Sequence, residues 1–196
     1  MASQHRRRFL QSGLAAAAFA TPLIGTAAAR RAIAPRPIAP PPVAAIRRVA
    51  LHNIHTNEAV DAVYWEKGAY VPDALSHVSH VLRDFRTGDV HPIDQRLLDL
   101  LDTLSARVET RRPFNVISGY RSPKTNAMLH ETTPGVANNS LHMKGMAIDI
   151  RLEDVELAHL HRAAMSLKAG GVGFYPESNF VHVDVGPVRY WGAAAS

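Results

Sequence analysis

Residues 180–185 read Phe-Val-His-Val-Asp-Val, and this alternation decides how the carboxy-terminal half of the chain folds. Successive side chains of a β-strand point to opposite faces, so the three valines are predicted to face a core. His182 and Asp184 then share the other face of the strand. A histidine and an aspartate on one face of an otherwise apolar strand indicate a functional site.

Patterns of apolar residues around this strand predict the other elements. Further strands are predicted at 49–55 and 58–65, joined as a hairpin, and at 114–118, 146–152 and 173–175. Helices are predicted from Pro72 with an apolar face reaching Phe85, over 92–108 and 124–131, and over 155–168 with Asp154 as its N-cap. Helices come early and strands late, and the late connections are too short for repeated βαβ units. We therefore expect an α+β domain in which helices pack on a mostly antiparallel sheet.

The amino-terminal segment has the composition of an export signal. Residues 1–29 contain three consecutive arginines at 6–8, no acidic residue, an apolar run over 13–24 and then small residues, the plan of a secretory signal. The string Arg-Arg-Arg-Phe-Leu at 6–10 resembles the signal of the twin-arginine translocase. We expect cleavage after Ala29 and a periplasmic protein. An uncleaved membrane anchor is the alternative, although the apolar run is shorter than the ~20 residues that span a bilayer.

Residues 30–48 are predicted to be a spacer, because five prolines and five arginines favour an extended chain outside the core. The remaining residues, 49–196, are the predicted working domain and hold 14 basic and 17 acidic side chains. The positive charge of the chain, +5 in total, therefore comes from residues outside that domain, whose own net charge is −3, and nucleic acid is not an expected partner. We expect at most a weak attraction of the spacer's arginines to an anionic membrane or wall, and a monomer.

Composition also limits the chemistry that this chain can perform. A length of 196 residues with 46% hydrophobic residues suits one compact domain with some additional chain. The chain has no cysteine, which excludes a disulfide framework, a thiolate nucleophile, Cys-ligated zinc and an iron–sulfur cluster. Eleven histidines leave a metal held by histidine and carboxylate as the remaining possibility.

A second polar cluster lies upstream, in the segment Ser-Leu-His-Met-Lys-Gly-Met-Ala-Ile-Asp at 140–149. Its glycine permits a tight turn between His142 and Asp149, so both side chains can reach one point. Together with His182 they would supply two histidines and one carboxylate, the ligands of catalytic zinc with one open position. By spacing alone, an alternative stays open: His142 is a surface residue, Asp149 accepts a hydrogen bond in a turn, and His182 pairs only with Asp184.

Three separated motifs resemble the M15 zinc peptidases, and within that family they are most similar to the exported murein endopeptidase K subgroup. The motifs are the 140–149 segment, Ser-Gly-Tyr-Arg-Ser at 118–122, and Gly-Val-Gly-Phe-Tyr-Pro at 171–176 followed by Phe-Val-His-Val-Asp at 180–184. The resemblance covers the chain from Val49 to Trp191. It implies the fold of the hedgehog and D-Ala-D-Ala peptidase domains.

The resemblance also implies roles for individual residues. One zinc ion per chain would be held by His142, Asp149 and His182. Arg121 would face the scissile carbonyl or a substrate carboxylate, as a fixed and always charged donor. Ser140 would lie near the substrate's amine and Tyr120 beside the same strand end, both as substrate-binding residues.

The general base is the point at which this sequence departs from better-known relatives. Many M15 enzymes carry a carboxylate three residues before the last histidine ligand, where this chain has Asn179. Asp184 is our preferred base, with the alternative that it orients His182. Glu177 is the other nearby carboxylate.

The resemblance implies a zinc-dependent murein endopeptidase that cleaves peptide cross-links, with peptidoglycan peptide stems as its partner. The subgroup's preference implies the 3-3 bond between two diaminopimelate residues. Within enzymes, the alternatives are a D-Ala–diaminopimelate endopeptidase and a D-Ala-D-Ala carboxypeptidase. Outside enzymes, the alternative is a non-catalytic zinc-containing peptidoglycan-binding module, because hedgehog-type relatives keep a comparable metal site while serving in signalling.

Overall fold

The structure is a computed structural model that describes residues 46–133 and 135–192. Its strands are β1 (Arg47–Asn53), β2 (Glu58–Glu66), β3 (Ala69–Tyr70), β4 (Phe114–Ser118), β5 (Ala147–Arg151), β6 (Gly171–Tyr175), β7 (Phe180–Asp184) and β8 (Arg189–Gly192). Its helices are α1 (Pro72–Val81), α2 (Gln95–Arg107), α3 (Pro123–Thr132) and α4 (Leu157–Leu167), with a 3-10 helix at Leu141–Lys144. The predicted leader and most of the predicted spacer lie outside the described residues. No helix in the described ranges is both long enough and apolar enough to cross a bilayer.

The eight strands of the described residues form one sheet in the order β3-β2-β1-β4-β5-β7-β6-β8. The pairs β1–β4 and β6–β8 are parallel, and the other neighbouring pairs are antiparallel. The expected α+β fold with a mostly antiparallel sheet is confirmed. The predicted hairpin is also confirmed, with Asn53 opposite Glu58 across its turn.

One face of the sheet packs against α1, α2 and α4 and forms the core. The alternation in β5 and β7 sends Ile148, Ile150, Val181 and Val183 into this core, and all four are fully buried. Burying an aliphatic side chain of this size stabilises a fold by about 1.5–3 kcal/mol. The opposite face of the same strands is therefore left to polar residues.

Several element boundaries differ from the predictions for local reasons. Helix α1 ends at Val81, and Phe85 lies beyond it, stacked on the ring of His55 with centroids 3.9 Å apart. The N-cap prediction for Asp154 is wrong: α4 begins after Glu156, and Asp154 instead accepts a hydrogen bond of 2.8 Å from Thr110 Oγ1.

The first strand begins earlier than the predicted domain boundary. Arg47 and Arg48, the last two residues of the predicted spacer, lie in β1. Their guanidinium groups form ion pairs with Asp99 of α2 and Asp61 of β2. Partners on neighbouring elements draw these two arginines into the sheet.

Candidate metal centre

Three elements meet to bring His142, Asp149 and His182 together on the face of the sheet opposite the core. Asp149 of β5 lies directly across from His182 of β7 in the antiparallel register. His142 lies on the 3-10 helix, which begins with Ser140 Oγ accepting from the backbone N–H of His142. That helix ends at Gly145, whose φ of 63° is a left-handed conformation that glycine adopts without steric cost. The glycine turn lets β5 start directly after the histidine.

The three side chains place their ligand atoms close to one another. His182 Nδ1 is 2.8 Å from Asp149 Oδ1, and His142 Nε2 is 3.3 Å from the same oxygen. The two histidine nitrogens are 3.2 Å apart. One ligand atom from each residue lies within 4.8 Å of the others. The site predicted from the motifs is thus assembled by the fold.

In each histidine, the ring nitrogen that faces away from the cluster makes a hydrogen bond that holds the ring. His142 Nδ1 lies 2.8 Å from the Gly119 carbonyl oxygen, and that carbonyl requires an N–H donor. His182 Nε2 donates to Asp184 Oδ2 over 3.1 Å. These tautomers leave His142 Nε2 and His182 Nδ1 free to bind a metal beside Asp149, the arrangement found around metal-ligating histidines. The donor set of two imidazoles and one carboxylate therefore fits Zn²⁺.

The electrostatics of the cluster follow from burial and close opposite charges. Burial lowers the pKa of His142. Burial alone would raise the pKa of Asp149, but the two histidines hold it well below its usual range. For His182, burial acts downward, yet hydrogen bonds to Asp149 and Asp184 outweigh it and raise the pKa to about 9. In the absence of metal, the raised pKa therefore favours a protonated His182 between the carboxylates of Asp149 and Asp184.

Arg121 lies at the edge of the cluster with part of its guanidinium unpaired. The side chain is 10% exposed, and its Nη2 lies 3.2 Å from Ser118 Oγ and 3.4 Å from Asp149 Oδ2. Its Nε is buried and has no hydrogen-bond partner among the described residues. Burial also lowers the pKa of Arg121. The guanidinium also lines the cleft, so it brings a charged donor to the wall of that cleft.

Asp184 is fully buried behind His182, and both of its oxygens are engaged. Oδ1 accepts from the backbone N–H groups of Gly171 (3.0 Å) and Gly186 (2.8 Å). Oδ2 accepts from His182 Nε2 and from Arg189 Nη2, the latter over 2.7 Å. Burial would raise the pKa of Asp184, but the hydrogen bonds from His182, Gly171 and Gly186 lower it to about 2. Of the two roles considered for Asp184, these contacts favour orienting His182 over accepting a proton.

The turn between β6 and β7 holds Glu177, the other carboxylate considered for the general base, and Asn179, which stands where many M15 enzymes carry a carboxylate. Glu177 is exposed there. Asn179 has a φ of 54°, and its backbone N–H donates to the Pro176 carbonyl over 3.1 Å. Asparagine is one of the few non-glycine residues that adopt this left-handed conformation readily. The asparagine at this position thus has a local conformational role.

A cleft of about 450 Å³ opens over the cluster. Besides the three clustered residues, its lining includes Arg121, Ser140, Tyr175, Phe180, Arg189 and Trp191. Of the predicted substrate-binding residues, Arg121 and Ser140 reach the cleft, whereas Tyr120 stacks on the ring of His91 with centroids 4.8 Å apart. Another cavity, of about 530 Å³ between β1 and α2, is lined by none of the clustered residues.

Arg189 and Trp191 belong to the cleft although sequence reasoning did not assign them to the site. Both lie on β8, which is four residues long and which the sequence patterns did not predict. A signal was present in β6, where Gly171 and Gly173 alternate within a strand. Glycine inside a strand often marks the close approach of another group.

Comparisons with known proteins agree with the motifs and the site. The family described as peptidoglycan L,D-endopeptidase MepK matches residues 42–191. The peptidoglycan L,D-endopeptidase MepK of Escherichia coli strain K12 is 43% identical over 145 residues, 74% of this chain and 80% of that protein. The protein of that name from Shigella flexneri has the same identity and coverage. A probable peptidoglycan L,D-endopeptidase MepK from Haemophilus influenzae is 41% identical over 146 residues, 74% of this chain and 78% of that protein.

These matches cover the described domain together with its metal-type cluster and cleft. They confirm the resemblance that the separated motifs indicated. The chain therefore belongs to the M15 peptidase family, in the branch described as peptidoglycan L,D-endopeptidase MepK, and is a peptidase.

Proposed function

We propose that this protein is a zinc-dependent peptidoglycan endopeptidase that hydrolyses peptide cross-links, with the 3-3 bond between two diaminopimelate residues as its substrate. The observation that carries the proposal is the convergence of His142, Asp149 and His182 within 4.8 Å under an open cleft. Relatives named L,D-endopeptidases, which cover most of this chain, support the choice of substrate.

His142, Asp149 and His182 would hold the zinc ion, one per chain. When bound, zinc lowers the pKa of a coordinated water and polarises a carbonyl oxygen. Arg121 contributes a charged guanidinium in the wall of the cleft, which would stabilise negative charge on the carbonyl oxygen of the scissile bond. Ser140 lines the same cleft and is assigned to substrate binding.

Asp184 and Glu177 have different roles in this proposal. Asp184 keeps His182 in the tautomer that presents Nδ1 to the metal, because it accepts from Nε2. Glu177 is the other carboxylate considered for this role: it is exposed in the turn that carries Ser178 to the rim of the cleft, and it lines a neighbouring cavity of about 210 Å³ on the same turn. We therefore assign Glu177 as the general base and Asp184 as a positioning residue.

The cellular setting is part of the same proposal. Residues 1–29 would direct export by the twin-arginine pathway to the periplasm, and the Pro/Arg-rich spacer would place the domain near the wall. The protein would act there as a monomer on peptidoglycan stems.

Digestion of purified murein sacculi tests the proposal. Wild type, His142→Ala, Glu177→Gln and the control His77→Ala are each incubated with sacculi, with added zinc or with a chelator, and the muropeptides are then separated. His77 is exposed on α1, outside the cluster, so its replacement controls for the loss of a histidine. We expect wild type and His77→Ala to consume 3-3 cross-linked dimers only with zinc, and His142→Ala and Glu177→Gln to leave them intact.

Each other outcome points to a different function. Loss of 4-3 dimers instead of 3-3 dimers would identify a D-Ala–diaminopimelate endopeptidase, and release of terminal D-Ala would identify a carboxypeptidase. Unchanged dimers with sacculus binding retained would identify a binding module. Full activity of Glu177→Gln would exclude it as the base.

A further inference from the structure

Strand β6 has two glycines, Gly171 and Gly173, on the side of the sheet that carries the metal-type cluster. Gly173 pairs with His182 of β7 on one side and with Trp191 of β8 on the other. Gly171 pairs with Arg189 of β8, and its N–H donates to Asp184 Oδ1 of β7 over 3.0 Å. Two rows of residues therefore cross β6, each with a glycine at its centre.

The missing side chains of these glycines leave the space that residues of β8 occupy. A Cβ atom on Gly173 would lie 2.7 Å from two atoms of the Trp191 indole ring. A Cβ atom on Gly171 would lie 2.7 Å from Arg189 Nη1 and would overlap Asp184 Oδ2. Real Cβ atoms do not make contacts this short, so any other residue at either position would push the β8 side chains away.

Through the space beside Gly171, Arg189 reaches the carboxylate of Asp184, which lies behind His182. Its Nη2 lies 2.7 Å from Asp184 Oδ2, and its Nη1 lies 3.3 Å from Asp184 Oδ1. Asp184 is completely buried, while the arginine side chain is 44% exposed. A buried carboxylate without a cationic partner would be costly, so Arg189 balances the charge of the group that orients His182.

In the space beside Gly173, the indole of Trp191 covers the ring of His182. The two ring centroids are 5.1 Å apart with an interplanar angle of 54°. The indole is fixed in turn, because its Nε1–H donates to Tyr175 Oη over 2.7 Å and the Arg189 guanidinium lies 4.9 Å above its ring. The indole therefore limits how far the imidazole can tilt.

We propose that Arg189 and Trp191 are positioning residues of the metal centre: β8 reaches across the glycine strand β6 to fix the orientation of His182. Arg189 acts through Asp184, and Trp191 acts on the imidazole ring directly. Neither residue is a ligand itself. The proposal rests on the proposed zinc site and adds to it the support that sets its geometry.

Zinc affinity, measured by competition with a chromophoric chelator, tests this role without use of the peptidase reaction. The variants are Arg189→Met, Arg189→Lys, Trp191→Ala and Trp191→Phe. The controls are Tyr190→Ala, on the same strand but directed to the backbone of Met165, and Val188→Ala, whose exposed side chain precedes the strand. Thermal unfolding of each metal-free variant shows that it is folded at the temperature of the binding assay.

We expect zinc affinity to fall by about 10- to 100-fold in Arg189→Met and Trp191→Ala, the range seen when a group that orients a metal ligand is lost. Arg189→Lys and Trp191→Phe should recover part of the affinity, because one keeps the charge and the other keeps a ring. The two controls should bind zinc like wild type.

The opposite result assigns β8 to the substrate instead. Unchanged zinc affinity in both Arg189→Met and Trp191→Ala, with a raised KM on muropeptides, would overturn the proposal. Failure of the proposed zinc site itself is seen separately, as a wild-type protein that binds zinc no better than His142→Ala.

Discussion

Strands β5, β7 and β6 each have two faces, and the two faces are built by different physics. On the helix side, fully buried residues such as Ile148 and Val183 belong to the same apolar core as the buried leucines of α2 and α4. On the cleft side, neighbours on the same strands such as Asp149 and His182 are buried as well, but among charges. The same strands thus carry the apolar core on one face and the polar cluster on the other, so that neighbouring residues belong to different environments.

The two faces differ in how far each residue's role depends on distant parts of the chain. A helix-facing valine needs only an apolar neighbour of suitable size, and many arrangements provide one. A cleft-facing residue needs a particular partner at hydrogen-bond distance, as His182 needs Asp149 on one side and Asp184 on the other. The apolar face therefore supplies the packing of the core, and the polar face carries the groups that we propose bind a metal.

Adjacent substitutions on β5 test this separation most strongly. We expect Ile148→Ala to lower the free energy of unfolding by about 2–5 kcal/mol, because it leaves a cavity in the core. Below its melting temperature the variant should still bind zinc like wild type. Asp149→Asn, one residue away and of nearly equal volume, should abolish zinc binding. The measurements are urea unfolding and chelator competition on both variants.

A loss of zinc affinity in folded Ile148→Ala equal to that in Asp149→Asn would contradict the separation. It would mean that packing on the helix side sets the geometry of the cleft side.

Two of the buried histidines, His161 on the helix side and His182 on the cleft side, should respond to pH in opposite directions. His161 of α4 stacks on Phe174 on the helix side, and burial lowers its pKa; the same cause lowers the pKa of His142. A lowered pKa means that the unfolded chain binds more protons below pH 6.5, so stability falls as the pH falls through that range. His182 lies between two carboxylates that raise its pKa to about 9. Its contribution is present below pH 6.5 and is lost as the pH rises from 6.5 to 9.

We therefore expect the metal-free protein to lose up to about 3 kcal/mol of stability between pH 6.5 and 9, given 1.36 kcal/mol for each pKa unit. Urea unfolding in the presence of chelator measures this slope. His182→Gln should flatten it, and His161→Leu should leave it unchanged while reducing the loss on the acid side. An alkaline slope that survives in His182→Gln would have another origin.

The contrast between the faces also explains how much of the molecule could be predicted from its sequence. Alternation within 180–185 and the spacing of apolar residues in α2 are local, and they placed most elements within a few residues. The strands β3 and β8 were not predicted, because they contain two and four residues and owe their structure to pairing with a neighbouring strand. Short segments of this kind have too little internal pattern to identify.

Within the site, local signals sufficed to group the three candidate ligands but not to identify the residues that hold them in place. His142, Asp149 and His182 were identified by residue type and motif, and the fold brings them together. The two possible roles of Asp184 could not be separated, because its charge partner Arg189 comes from a strand that was not predicted. The pairing depends on the register of three strands, which no local pattern encodes.

A double-mutant cycle between Gly173 and Trp191 examines that non-local support directly. Gly173→Ala alone places a Cβ atom against the indole ring, and we expect zinc affinity to fall by about tenfold as the ring is displaced, the lower end of the range for such supports. In a Trp191→Ala background the ring is gone, so the same alanine should cost little more. Contacting residues commonly show coupling energies of about 0.5–3 kcal/mol, whereas independent residues give additive effects. Additive losses would show that Gly173 is small for a reason unrelated to β8. The support of the cleft-side residues would then come from β5 and β7 and not from β8.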